Sequence, residues 1–219
     1  MSPAALSATL RAFAPIDRMQ PQYAAYWGLM AQGALPLAGM SQLIVEVSPS
    51  NAVFALTDVA MKATGVRSAG TLIERDFGLL ELHAPVPDPV VEAGLVILRE
   101  MGLRLEDRSA PEIVSSQLLA AITADHSQLF NKVRRGAWTL PGDSLFVMEI
   151  APAAYVYLVA NELEKDVEVE LVRVAGTGLF GRLIVAGSEA SVEQAEQVAR
   201  RLVDRVRAEA GAAARTGGH

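Results

Sequence analysis

The sequence predicts an α+β protein built twice over, two tandem domains that each hold an antiparallel sheet flanked by helices. Three observations carry that expectation. The chain repeats itself at a shift of 103 residues, with Glu46 falling on Glu149 and Phe77-Gly78 on Phe180-Gly181. Within each copy, two strand-like runs follow one another with no helix between them, which implies antiparallel pairing. Half of the 219 residues are apolar (51%) and only 20% are charged, enough to build buried cores and to exclude a disordered chain.

The repeat holds one register without a gap. Pro49 meets Pro152, Val53 meets Val156, Lys62 meets Lys165, Val66 meets Val169 and Leu80 meets Leu183. Upstream, Gly33 meets Gly136, Ala34 meets Ala137 and Gly39 meets Gly142, while Asp58 is exchanged for Asn161. Chance does not keep one register over this span. The expected domains are residues 1–104 and 105–210, followed by a flexible tail at 211–219 rich in Ala and Gly.

The elements follow from local pattern. Residues 2–13 space Leu6, Leu10 and Phe13 as a short amphipathic helix would, although packing against their own domain is the preferred reading. Residues 10–16 and 113–122 fit a strand or a helix equally well. Residues 20–32 and 125–135 read as one helix each, ending near Gly33 and Gly136. The β-branched and aromatic runs at 43–47 and 145–150 read as strands. Pro49 and Pro152 then suit the first turn of helices over 50–64 and 153–167, the first closed by Gly65. Strands are expected at 68–74 and 79–83, and again at 169–175 and 182–186. A last helix opens near Pro89 or Val192, with Asp88 and Ser191 as matching cap residues. In the second copy Val192, Ala195, Ala199, Leu202, Val203 and Val206 form its apolar stripe.

Composition removes many functions. There is no cysteine, which excludes disulfides, thiolate metal sites and cysteine nucleophiles, and the three histidines are too few for a histidine-rich metal site. With 19 basic against 25 acidic residues the net charge is −6, and the basic clusters are short, so nucleic acid is not an expected partner. No long apolar span and no signal segment is visible, so the expectation is a cytoplasmic chain without membrane contact.

Several motifs invite chemistry and do not support it. Gly176-Thr177-Gly178-Leu179-Phe180-Gly181 spells a dinucleotide-binding fingerprint, but the next segment reads as a strand where that site needs a helix, and the first copy keeps only the last glycine. A tight strand-connecting loop is expected instead, and no cofactor. Asp125-His126-Ser127 has triad residue types in series, a geometry that cannot assemble a triad, so they read as a helix start. The carboxylate pairs Glu162 with Glu164 and Glu168 with Glu170 are expected in solvent, and His83 at a surface or an interface. Glu74-Arg75-Asp76 stands apart: one copy carries three charges in a loop where the other carries Thr177-Gly178-Leu179. By composition alone this is a solvated turn holding a weak ion pair.

The repeat unit resembles bacterial microcompartment shell domains. Asp58-Val59-Ala60-Met61-Lys62 is similar to that family's D-x-x-x-K helix, with Asn161-Glu162-Leu163-Glu164-Lys165 as its counterpart. More specifically, the chain resembles tandem-domain, circularly permuted shell proteins of the carboxysome type. Gln20-Pro21-Gln22, the run Leu72 to Leu80, the run Leu140 to Phe146 and Leu179-Phe180-Gly181-Arg182-Leu183 carry the resemblance, which covers nearly all of residues 10–207. It implies three chains in a homotrimer that forms a pseudohexagonal tile, with two trimers stacking face to face. It implies other shell proteins as neighbours, with Lys62 and Lys165 at tile edges. It also implies a central pore, lined by Glu74, Arg75, Thr177 and Gly178, that opens and closes to small metabolites.

The role implied is structural, with no catalytic residue, cofactor or metal. Two other classes compete. One is a soluble trimeric small-molecule sensor using a pocket between domains. The other is an enzyme with Glu74 or Asp76 as base, for which no partner acid or metal is visible.

Overall fold

The computed structural model describes residues 7–210. The first copy runs β1 (Thr9–Ile16), α1 (Pro21–Gly28), β2 (Ser41–Ser48), α2 (Ala52–Ala63), β3 (Arg67–Glu74), β4 (Phe77–Ala84) and α3 (Pro87–Met101). After a 3-10 turn at Leu105–Asp107 the series recurs. It runs β5 (Glu112–Leu119), α4 (Ala124–Val133), β6 (Ser144–Ala151), α5 (Tyr155–Asp166), β7 (Glu170–Ala175), β8 (Gly181–Gly187) and α6 (Glu189–Ala210). Each copy makes one four-stranded antiparallel sheet, ordered β1-β2-β4-β3 and β5-β6-β8-β7. The repeat survives at the level of register: Val45 pairs with Leu80 in the first sheet, and Met148 with Leu183 in the second.

The central strand β2 buries all but its last residue, and its counterpart β6 leaves only Val147, Glu149 and Ala151 partly exposed. In α6 the buried positions include Val192, Ala195, Ala199, Leu202, Val203 and Val206, the stripe expected from helical spacing. The segments at 10–16 and 113–122, compatible with either state, are strands β1 and β5. Leu10 and Phe13 therefore belong to a strand packed on its own domain, not to an amphipathic helix. The rest of that expectation, residues 2–6, and the flexible tail at 211–219 lie outside the described residues.

Three local expectations need correction. Pro49 and Pro152 do not open helices; each follows a cis peptide bond in a turn, and the helices begin at Ala52 and Tyr155. Asp88 and Ser191 are not caps. The helix α3 starts at Pro87, whose fixed φ suits a first turn, so Asp88 lies inside it. In α6 it is the Ser188 hydroxyl that accepts from the Ser191 amide, at 3.1 Å. The first upstream helix is also shorter than its segment, closing at Gly28.

The largest core cluster belongs to both copies at once. Ala12 and Ala14 of β1 and Tyr23 and Trp27 of α1 pack with Tyr157 and Leu163 of α5. The Trp27 and Tyr157 rings lie 4.8 Å apart, centroid to centroid. The halves are therefore joined by a hydrophobic core rather than by a wet contact.

The first sheet also buries a polar chain. The Trp27 indole donates to the Tyr23 hydroxyl (2.8 Å), which donates to Gln42 (2.7 Å). The Gln42 amide donates to Glu81 (2.8 Å), which also accepts from the Ala69 amide at 2.6 Å. His83 Nδ1 lies 3.0 Å from the same carboxylate, so His83 is a buried core residue and not the surface or interface histidine expected from its place before Ala84-Pro85. The second copy replaces Gln42, Glu81 and His83 with Leu145, Ile184 and Ala186, all buried and apolar. Replacing Glu81 alone strips three donors of their acceptor inside the core. We expect Glu81→Leu to cost about 3 kcal/mol of stability, measured by urea denaturation; a loss within experimental error would show that the carboxylate is not what holds this network.

Candidate functional site

The two strand pairs that lack a helix end in tips of different length and shape. In the first copy Glu74 pairs with Phe77, so Arg75 and Asp76 form a two-residue hairpin. Arg75 takes φ 53°, the left-handed conformation that such tight turns require of a central residue. In the second copy pairing stops at Ala175 with Arg182, leaving a loop from Gly176 to Phe180. Two glycines there supply no side chains to a ladder.

These glycines do different jobs. Gly178 has φ +91°, a backbone conformation that glycine adopts without steric cost. Gly176 is instead held by close approach: a Cβ there would stand 2.1 Å from the Tyr157 ring. The loop is thus anchored at one end and free further along.

The structure brings the two tips together. A Cβ on Gly178 would lie 3.7 Å from Glu74 Cγ, and residues 176–178 rest against Leu72 and Phe77–Leu79 of the first copy. Glu74, Arg75 and Asp76 are exposed. Among the described residues Glu74 and Arg75 make no ion pair within the chain, so the weak local pair read from composition is absent and their charges are free to meet other partners. Beside the tips lies a cleft of about 570 Å³, bordered by Glu74, Thr177, Arg135 and Arg173.

Behind the tips, side chains of one half satisfy backbone groups of the other. Glu46, only 2% exposed, takes the Arg11 guanidinium at 2.6 Å and accepts from the Ala154 amide at the start of α5 (2.8 Å). Burial pushes its carboxyl up, against the pull of Arg11 and that amide. Glu164 accepts from the Gln22 and Tyr23 amides at 2.7 and 2.8 Å, filling the uncapped N-terminus of α1. Glu164 is therefore not the solvated carboxylate expected of it; burial raises its pKa, opposed by these two amides. Asn161 is fully buried, accepting from the Gln20 amide and donating to the Arg18 carbonyl. The sequence signal for Glu46 was its retention as Glu149; Glu164 and Glu81 left no such trace, since a carboxylate beside apolar residues reads as solvent-facing until its donors are known.

The remaining candidates fall into place separately. Lys62 is exposed and pairs with Asp58 at 2.7 Å, the i,i+4 arrangement of a solvated helix face. Lys165 lies 3.9 Å from Glu162 and borders a cleft of about 660 Å³ with Asp17, Arg18 and Gly39. Neither lysine approaches the tips. The residues of the dinucleotide-like motif form the β7–β8 loop with no helix after it, as expected. Thr123, not Asp125 or Ser127, caps α4, and Ser127 is buried on Thr139. Among the described residues no three His, Asp or Glu are grouped to hold a metal ion, and no helix is long and apolar enough to cross a membrane.

Known proteins share this architecture. A family model described as the CsoS1D N-terminal domain matches residues 10–107. The chain is 42% identical to the carboxysome shell protein CcmP of Synechococcus elongatus, over 84% of this chain and 86% of that one. It is 40% identical to the carboxysome shell protein CsoS1D of Prochlorococcus marinus, covering 90% and 77% respectively. Two solved structures superpose closely. One is described as the fused permuted hexameric shell protein MSM0275 from the RMM microcompartment, with TM-score 0.88, 39% identity and coverage of 91% and 98%. The other is described as the double ringed trimeric shell protein MSM0271 from the same microcompartment, with TM-score 0.87, 34% identity and coverage of 91% and 97%. Duplicated permuted domains, converging tips and these relatives together place the chain in one family: it belongs to the tandem-domain, circularly permuted shell proteins of bacterial microcompartments, of the carboxysome type.

Proposed function

We propose that this structural shell protein forms a homotrimeric pseudohexagonal tile whose three-fold axis is a pore gated by Glu74 and Arg75 against Thr177 and Gly178. The observation that carries the reading is the meeting of an exposed charged hairpin and a glycine loop, one from each domain, at one place in the chain. The domains are 1–104 and 105–210, divided at the turn that precedes β5. The tile sits in a microcompartment shell in the bacterial cytoplasm, beside other shell proteins that Lys62 and Lys165 meet at its edges through their aliphatic stems. Trimers stack in pairs, in keeping with the double ringed relative.

Three-fold symmetry brings three copies of Glu74 and Arg75 to the axis. Three carboxylates alone repel, whereas guanidinium groups between them bridge neighbours through planar, bidentate hydrogen bonds and close the opening. Turning the arginines outward exchanges those pairs for water. Exposed pairs are worth at most about 1 kcal/mol, so both arrangements are populated and a small metabolite that prefers one shifts the balance.

Light scattering of the native protein is expected to give the mass of three chains, or of six for a stacked pair, with hexagonal outlines in negative stain. A monomer or dimer without that outline overturns the tile. A trimer that a small molecule stabilises, and that never assembles into sheets, favours a sensor instead. For the gate, image classification of wild-type trimers is expected to separate closed and open axes, and Glu74→Ala with Arg75→Ala to leave only open ones. One fixed axis in both proteins removes the gate.

A further inference from the structure

Both copies carry a β-bulge at the same place, and only the first fills it with a cation. Arg11 is the extra residue between Leu10, opposite Val47, and Ala12, opposite Glu46. Its counterpart Val114 lies between Ile113, opposite Ile150, and Ser115, opposite Glu149. A bulge re-aims a side chain, and that of Arg11 reaches across β2 to the start of β4. There its guanidinium carbon stands 3.8 Å from the centre of the Phe77 ring, while its Nε donates to Glu46 Oε1 at 2.6 Å. Val114 is exposed and has no charge with which to do either.

The repeated carboxylate takes its arginine from opposite sides in the two copies. Glu149 faces Arg182 across the β6–β8 pair and bonds to it at 2.5 Å. Glu46 faces Leu79, the counterpart of Arg182, across the β2–β4 pair, and its arginine comes from β1 instead. Both arrangements satisfy the carboxylate, but they differ at the tip. In the first copy the cation also lies on Phe77, the residue that closes the hairpin by pairing with Glu74. In the second copy Phe180 is 39% exposed and the tip is an open loop.

We infer that Arg11, held by Glu46, is a positioning residue of the pore: it clamps Phe77 and so keeps Glu74 and Arg75 in a closed hairpin. The place of that hairpin at the axis rests on the gate proposed above, whereas the clamp lies within one chain. Glu46 is buried, so its attraction for the guanidinium is little screened by water, and a bare carboxylate there is costly. The Arg11 side chain is itself only 20% exposed, a setting that strengthens a cation on an aromatic ring. The second oxygen of Glu46 accepts from the Ala154 amide, which fixes the direction of the carboxylate. That bond also reaches the other tip. A Cβ on Gly181 would collide with the Ala153 carbonyl, so the turn that Glu46 holds is the seat of the β7–β8 loop. Glu46 thus lies between the bases of both tips, beside Phe77–Leu79 and residues 176–178.

Arg11→Met with Glu46→Gln removes the cation without leaving a bare buried carboxylate, and the glutamine still offers an oxygen to the Ala154 amide. Amide hydrogen exchange read by mass spectrometry is expected to run about tenfold faster in peptides spanning residues 73–78 of this variant. Peptides from β6 and β8, and the far-ultraviolet circular dichroism, are expected to stay as in the wild type. Arg11→Lys keeps a cation between Glu46 and the ring and is expected to recover most of the protection. Unchanged exchange at 73–78 in the double variant overturns the clamp. Exchange equally fast in Arg11→Lys also overturns it, since the charge is then not what holds the tip. Phe77→Leu removes the ring and leaves the buried pair intact; it is expected to loosen the same peptides, and wild-type protection there counts against the clamp. In image classification of trimers the double variant is expected to show fewer closed axes than the wild type, and a loosened tip with an unchanged share of closed axes overturns the positioning role. A wild type with one fixed axis removes the gate alone, because the exchange comparison decides the clamp in any assembly.

Discussion

The junction of β1 and α1 with α5 is the contact on which the rest of this molecule depends. It combines the largest core cluster with a set of hydrogen bonds in which each half completes the backbone of the other. The helix ends involved lack local caps, so their amides would face a dry interface unsatisfied if the halves separated. Burying Glu46 and Glu164 opposes their ionisation, and that cost is offset only while Arg11 and the facing amides remain in place. An interface built this way tolerates little sliding. It fixes the angle between the sheets, and hence where the two tips fall.

Duplication followed by divergence explains why two copies of one fold are chemically unlike. The strand register is conserved down to individual pairs, yet the first core holds a Tyr–Gln–Glu–His chain where the second is apolar. Both are valid solutions for the same sheet. A buried polar network specifies a core at some cost in stability, here including a His83 Nε2 left without a partner among the described residues, while an apolar one relies on packing. The divergence at the tips is of another kind. One strand pair closes in a two-residue turn and the other in an open loop, where Gly176 and Gly178 lose more conformational entropy in a strand and offer no side chain to pack across it.

The repeat, the strand and helix types and the two separate sheets are legible in the sequence, since they depend on periodicity and on local conformational preference. The strand β1 is ambiguous there because Leu10, Ala12 and Ala14 alternate as a strand should while Leu10 and Phe13 also sit at helical spacing; pairing with β2 decides it. Pro49 and Pro152 suggest a helix start because proline suits a first turn, whereas the turns after them pack closely on Gly78 and Gly181 and the helices begin at Ala52 and Tyr155. The charged tip is conspicuous in sequence as a difference between copies. Its proximity to Gly178 is implied only by the resemblance to shell proteins and by no local pattern, since it follows from the junction of the halves. His83 and Glu164 show the general limit: the environment of a polar residue is a property of what folds against it.

Fusion of the domains also explains a gain that identical subunits cannot have. Six copies of a single domain put six identical loops around an axis, so a charge placed on one loop is placed on all, and like charges crowd together. A two-domain chain separates the functions. In the proposed ring, charged hairpins alternate with glycine loops, and each Glu74 and Arg75 lies beside a loop whose backbone has room to yield. The anchoring of Gly176 on Tyr157 limits that yielding to the far side of the loop, away from the junction. Tyr157 itself is held under Trp27, within the core that joins the halves. The proposed gate thus sits apart from the contact that holds the sheets in place, which is what a tile needs if its centre is to change shape while its edges stay in register with their neighbours.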